Sequence, residues 1–217
     1  MMFTVLWDND GVLVDTERLF FQTTASVLRR VGVELTREMF IDHSLRQGRS
    51  TFEFAAARGV DDDALEKLHD ERDAEYMEVL RSNEIVIDGV RETLEQLHGQ
   101  VRMGVVTSAP RKHFEAAHTG RGLLDYFEFV LAREDYGESK PAPDGYLAAI
   151  ERFNVPASRS IVIEDTERGL AAAVAAGVPC MVIPHELTAG GDFSAAYRVL
   201  DHVGQVPDAV RGLAEQT

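Results

Sequence analysis

Acidic residues gather where apolar runs end. TVLW (4–7) is followed directly by Asp8, Asn9, Asp10 and Gly11, and SIVI (160–163) by Glu164, Asp165 and Thr166. A third run, VRMGVV (101–106), ends in Thr107 and Ser108, and a lysine, Lys140, stands in the loop ESKPAPDGY (138–146). Four carboxylates converging on one rim, from Asp8, Asp10, Glu164 and Asp165, repel one another unless a cation lies among them. An all-oxygen donor set is what Mg²⁺ prefers. A magnesium ion beside a carboxylate, a hydroxyl donor and a lysine is a receptor for a phosphoryl group, whose charge must be neutralised in the transition state. The chain lacks the Gly-rich loop and Lys-Ser/Thr pair of a nucleotide P-loop, so a carboxylate nucleophile of the aspartyl-phosphate type is the more natural chemistry.

These residues need elements that place them side by side. Short apolar runs at 4–8, 101–107, 127–132, 160–165 and 180–184 read as strands buried on both faces. Helix patterns at 144–153 and 168–177 lie between them, the second closed by Gly177. That alternation predicts an α/β fold with a doubly wound, Rossmann-like parallel sheet, in which ligands bind beyond the carboxyl ends of the strands. One interval breaks the rhythm. Residues 17–83 carry only helical periodicity, in RLFFQTTASVLRRVG, TREMFIDHS, RSTFEFAAARG and DDALEKLHDERDAEYMEVLRS. The reading is a core of residues 1–16 and 84–217 with an all-helical cap domain, 17–83, inserted after the first strand. The tail VGQVPDAVRGLAEQT reads as a loop and a last helix.

Composition narrows the function. A net charge of −15 disfavours nucleic acid and anionic membrane as partners. The single cysteine, Cys180, lies in the apolar run CMVIP and is expected to be buried in a reducing compartment. With no membrane-spanning run and no signal-peptide pattern, the chain is expected to be soluble, cytoplasmic, and a monomer or weak homo-oligomer. Its expected partner is a small phosphorylated metabolite.

The segments DNDGVLVD, VVTS, SKPAPDGY and VIEDTERG resemble, in order, the four motifs of the haloacid dehalogenase-like hydrolase superfamily. The helical insertion after the first motif is similar to the branch containing phosphoglycolate phosphatase, sugar-phosphate phosphatases and β-phosphoglucomutase. The resemblance implies that Asp8 attacks phosphorus, and that Asp10 protonates the leaving oxygen, later activates water and offers its main-chain carbonyl to Mg²⁺. It implies that Thr107 and the Ser108 amide hold phosphoryl oxygens, Lys140 balances charge between nucleophile and phosphate, and Asp165 binds the metal with Glu164 nearby or through a water. Asp15 is read as an anchor for the hinge into the insertion, with Thr16 near the start of its first helix, and Trp7 as core packing.

The insertion is expected to act as a lid that excludes water and selects the leaving group. SLRQGRSTFEF (44–54) is its expected specificity segment, with Arg46 and Arg49 as candidate substrate contacts. Dehalogenases resemble the chain less, because Asp10 supplies an acid/base that their first motif lacks, and the phosphonate-hydrolysing branch uses a cap lysine where only Lys67 is present here. β-Phosphoglucomutases carry a histidine where this chain has Phe20 and an arginine where it has Thr51, so a phosphatase is favoured over a mutase. A catalytically silent binding protein is the alternative of another class, disfavoured because every catalytic position is filled.

Overall fold

A computed structural model describes residues 2–214. Its strands are β1 (Thr4–Trp7), β2 (Arg102–Val106), β3 (Phe129–Leu131), β4 (Ser160–Glu164), β5 (Cys180–Val182) and β6 (Arg198–Val199). Helices α1 (Glu17–Arg29), α2 (Arg37–Phe40), α3 (Glu53–Ala56) and α4 (Asp62–Ser82) lie in one compact unit, Thr16–Ile85. Helices α5 (Val90–Leu97), α6 (Arg111–His118), α7 (Asp144–Phe153), α8 (Glu167–Ala175) and α9 (Val206–Ala214) belong with the strands to the other, Met1–Asp15 with Val86–Thr217.

The sheet is parallel, six-stranded and ordered β3-β2-β1-β4-β5-β6. Side chains alternate across it. Val5, Trp7, Met103, Val105, Ile161, Ile163 and Met181 face one way, onto α5, α6 and α9 through Leu94, Phe114 and Val210. Leu6, Val106, Val162, Cys180 and Val182 face the other, onto α7 and α8 through Tyr146, Phe153 and Leu170. Both faces are covered, which is why these strands read as unbroken apolar runs, and why Trp7 and Cys180 are buried as expected.

Strand order reverses between β1 and β4, whose register sets Trp7 against Ile163. The first acidic segment therefore emerges beside the second, at the switch point of the sheet. The sequence reading missed β6, a pair of exposed residues on the edge with no apolar run to mark them. It also drew the strand at 127–132 too long, since only Phe129–Leu131 pair with β2.

In the helical unit, α1 and α4 are the long elements. TREMFIDHS forms α2 and runs on into a π-helical turn, Ile41–Arg46, while the segment around Phe54 keeps a single regular turn, α3. Among the described residues no helix is long and apolar enough to cross a membrane. The tail forms α9, and residues 215–217 of the expected last helix lie outside the described residues.

Candidate active site

The end of β1 turns sharply. The Asn9 carbonyl accepts the amides of Val12, Leu13 and Val14 at 3.3, 2.9 and 3.2 Å, which folds the chain back over Asp10 and Gly11. Gly11 has φ +81°, the left-handed region that favours glycine, and a Cβ there would lie 2.4 Å from Asp165 Oδ2 and 2.8 Å from His185 Nε2. Bare backbone is what lets this turn close on the end of β4.

Asp8 is buried and its main-chain amide donates to the Ile163 carbonyl at 2.9 Å. The Lys140 ammonium, also buried, donates to Asp8 Oδ1, to Glu164 Oε1 at 2.8 Å and to the Val106 carbonyl at 3.1 Å. Burial alone pushes Lys140 toward neutrality, but the two carboxylates outweigh it and hold its pKa above the usual lysine range. Burial raises the Asp8 pKa well above the usual carboxylate range, against the pull of Lys140 and with a further push from Glu164 and Asp10. One ammonium does not offset this much buried negative charge.

Glu164 is held differently. Its Oε1 accepts from Lys140 and from the Tyr146 hydroxyl at 2.8 Å, and its Oε2 from the Asp165 and Thr166 amides and the Thr166 hydroxyl at 3.0, 3.2 and 3.0 Å. These contacts, with Lys140 the strongest, overcome the upward push of burial and keep Glu164 below the usual carboxylate range. Its carboxylate lies against the start of α8, where Thr166 caps by accepting from the Gly169 amide. Arg168 fixes the lysine from the main-chain side by donating to the Lys140 carbonyl.

Asp165 Oδ2 accepts from His185 Nε2 at 2.9 Å, while His185 Nδ1 accepts the Leu187 amide at 3.3 Å, an arrangement that puts the ring proton on Nε2. Thr107 is buried, its hydroxyl lying 3.1 Å from Asp10 Oδ2 and accepting from the Ala109 amide at 3.0 Å. Ser108 meets the Ser139 hydroxyl at 3.2 Å, and Tyr136 donates to the Thr107 carbonyl at 2.8 Å. The structure thus brings Asp8, Asp10, Thr107, Ser108, Lys140, Glu164 and Asp165 to neighbouring strand ends. The sequence reading missed His118, His185, Tyr146 and Gly169. His185 alone left a local trace, its place just past the end of β5.

A divalent cation fits this donor set. Asp8, Glu164 and Asp165, all buried, each bring a carboxylate oxygen within 4.8 Å of the others. Hard oxygen donors of this kind select hard cations.

Arg46 and Arg49 belong to the helical unit. There Arg46 pairs with Asp42 at 2.6 Å and Arg49 with Glu53, both on side chains about half exposed. A better buried cation of that unit is Arg72, with its guanidinium 4.5 Å from the Phe20 ring centroid and 5.5 Å from that of Phe52, and its Nε on Asp73 at 2.7 Å.

Residues 5–183 match the family model described as haloacid dehalogenase-like hydrolase. The chain belongs to that family. It is 35% identical over 188 residues to a validoxylamine A 7'-phosphate phosphatase of Streptomyces hygroscopicus subsp. limoneus, covering 83% of this chain and 85% of that one. It is 29% identical to a phosphorylated carbohydrates phosphatase of Thermotoga maritima, covering 82% of each. Among solved structures, a mutant of CbbY from Rhodobacter sphaeroides in complex with xylulose-(1,5)bisphosphate superposes with a TM-score of 0.80 at 25% identity, covering 94% of this chain and 96% of that one.

Proposed function

We propose that this hydrolase is a Mg²⁺-dependent phosphatase that cleaves a small phosphate monoester, of the sugar-phosphate or phosphoglycolate type, through an aspartyl-phosphate. The observation that carries the reading is the Lys140 ammonium held between Asp8 and Glu164 at the switch point of the sheet. An aspartate attacks a phosphate dianion only if the charge between them is neutralised, and Lys140 is fixed where it does this.

In the first step an Asp8 carboxylate oxygen bonds to phosphorus, the bond from phosphorus to the ester oxygen breaks, and Asp10 gives that oxygen its proton. In the second, water attacks the phosphorus of the aspartyl-phosphate, Asp10 takes the water proton, and phosphate leaves with Asp8 restored. The Thr107 hydroxyl orients Asp10 and, with the Ser108 amide, holds phosphoryl oxygens. Asp8, Asp165 and the Asp10 carbonyl would hold Mg²⁺, which neutralises charge on the transferring group. Glu164, both of whose oxygens already accept hydrogen bonds, anchors Lys140 and would add its negative charge to the carboxylate cluster that holds the cation.

The helical unit, Thr16–Ile85, is the proposed selector of the leaving group, with the exposed Arg46 and Arg49 as candidate contacts. The phosphorylated carbohydrates phosphatase and the validoxylamine A 7'-phosphate phosphatase among the relatives support this substrate class. A mutase needs an acid/base group that Phe20, packed 5.1 Å from Tyr76 between ring centroids, does not supply. The test is phosphate release from phosphorylated sugars, phosphoglycolate and nucleotides with Mg²⁺, beside an Asp8→Asn control. Preference for one sugar-type ester, with the control inactive, is expected. Hydrolysis of none, or an active control, would overturn the reading.

A further inference from the structure

Behind the nucleophile loop lies a buried polar pair. His118, the last residue of α6, places Nε2 2.7 Å from Asn9 Oδ1, and both residues are almost fully enclosed. A carboxamide oxygen only accepts, so Nε2 carries the proton. Burial, opposed by Asp10 and aided by Arg121, brings the His118 pKa down to about 4, and the ring is a neutral donor at physiological pH.

The pair is a poor choice for stability alone. His118 Nδ1 and Asn9 Nδ2 are both buried without a hydrogen-bond partner among the described residues, and unsatisfied buried polar atoms are destabilising where two apolar side chains of the same shape would be nearly neutral. What the bond does is geometric. Asn9 stands between Asp8 and Asp10, and its own carbonyl gathers the amides that form the turn. Helix α6 begins just past Thr107 and Ser108, and Thr107 reaches Asp10 from the other side.

We infer that His118 is a positioning residue: by holding Asn9, it locks the Asp8-Asn9-Asp10 segment to the helix that follows the phosphate-binding loop, and so sets the relative aim of nucleophile and general acid. This rests on the roles proposed above for Asp8 and Asp10. Loss of the lock lets both carboxylates drift, and small misplacements of reacting groups are expensive in rate.

The experiment compares His118→Leu and Asn9→Leu, which remove the bond from opposite ends, with His118→Gln, which keeps an N–H donor. The full chain is assayed on p-nitrophenyl phosphate with Mg²⁺, below each variant's own unfolding temperature, beside Asp8→Asn. Each leucine variant should lose kcat by roughly tenfold or more with KM unchanged, the double variant should lose little beyond either single one, and His118→Gln should recover much of the rate. Wild-type kcat in a folded His118→Leu, with Asp8→Asn inactive, would overturn this inference alone. If His118→Leu does not fold, wild-type kcat in Asn9→Leu would overturn it equally. Turnover by Asp8→Asn would overturn the nucleophile reading and this inference with it.

Discussion

Gly169 stands where no side chain fits: a Cβ there would come within 1.8 Å of the Glu164 carboxylate. In the interior of a helix, alanine in place of glycine ordinarily stabilises by about 1 kcal/mol. Here the sign should reverse. Gly169→Ala must push Glu164 out of its bonds to the Asp165 and Thr166 amides and away from Lys140, which should destabilise by about 1–3 kcal/mol and lower activity. Chemical denaturation checks it, and a stabilised variant would contradict the packing described.

The Lys140 ammonium pairs with both Asp8 and Glu164 in the buried network, and its removal strands both carboxylates. Lys140→Met should reduce kcat by about 10²–10³ or more and destabilise by roughly 3–5 kcal/mol. Steady-state kinetics and unfolding midpoints measure the two effects, and a variant with normal turnover would show that Lys140 does not balance the reacting charge.

The cations of the helical unit should separate by burial. Arg72→Ala loses contact with the Phe20 and Phe52 rings and should cost about 1–2 kcal/mol. Arg46→Ala and Arg49→Ala, in exposed pairs, should change stability by less than about 1 kcal/mol. Kinetics then assign their function: Arg49→Ala should lower kcat/KM for the preferred ester, and unchanged kcat/KM for every ester would remove Arg49 from the substrate contacts.

Much of this site was legible because its chemistry is local to the chain. Asp8 and Thr107 directly follow a buried apolar run and Asp165 lies one residue past another, so the strand pattern alone placed them at strand ends. The sequence could not show what depends on tertiary contact. His118 meets Asn9 across 109 positions, and Tyr146 reaches Glu164 from inside an ordinary amphipathic helix. Gly169 looked like any helix glycine, and β6 is too short and too exposed to register as a strand. Arg72 lies in the charged stretch DERD, which reads as a solvated helix face, and is set apart by the rings around it.

Stability should carry the signature of His118 in acid. Its pKa is about 4 when folded and about 6.5 in the unfolded chain. Between those values the unfolded chain binds a proton that the folded chain does not, so stability falls as pH drops through the window and is untouched above it. The contribution is up to roughly 3 kcal/mol. His118→Leu should lose that slope, so the difference in Tm between the two proteins should change between pH 7.5 and 4.5. Parallel curves would contradict a neutral, buried imidazole.

Metal binding should be visible without turnover. Mg²⁺ should raise the Tm of the wild-type protein, by about 2.7 kcal/mol of stabilisation at a hundredfold excess over Kd, and chelation should abolish activity reversibly. Asp165→Asn should lose most of the shift. An undiminished shift in that variant would place the cation elsewhere.

The most direct test of the mechanism is to quench the wild-type enzyme during turnover of a ³²P-labelled ester and map the label by peptide. Acid-stable, hydroxylamine-labile phosphate on the peptide containing Asp8, absent from Asp8→Asn, is the expected result. Label on another residue, or turnover without any label at Asp8, would contradict an aspartyl-phosphate at this position.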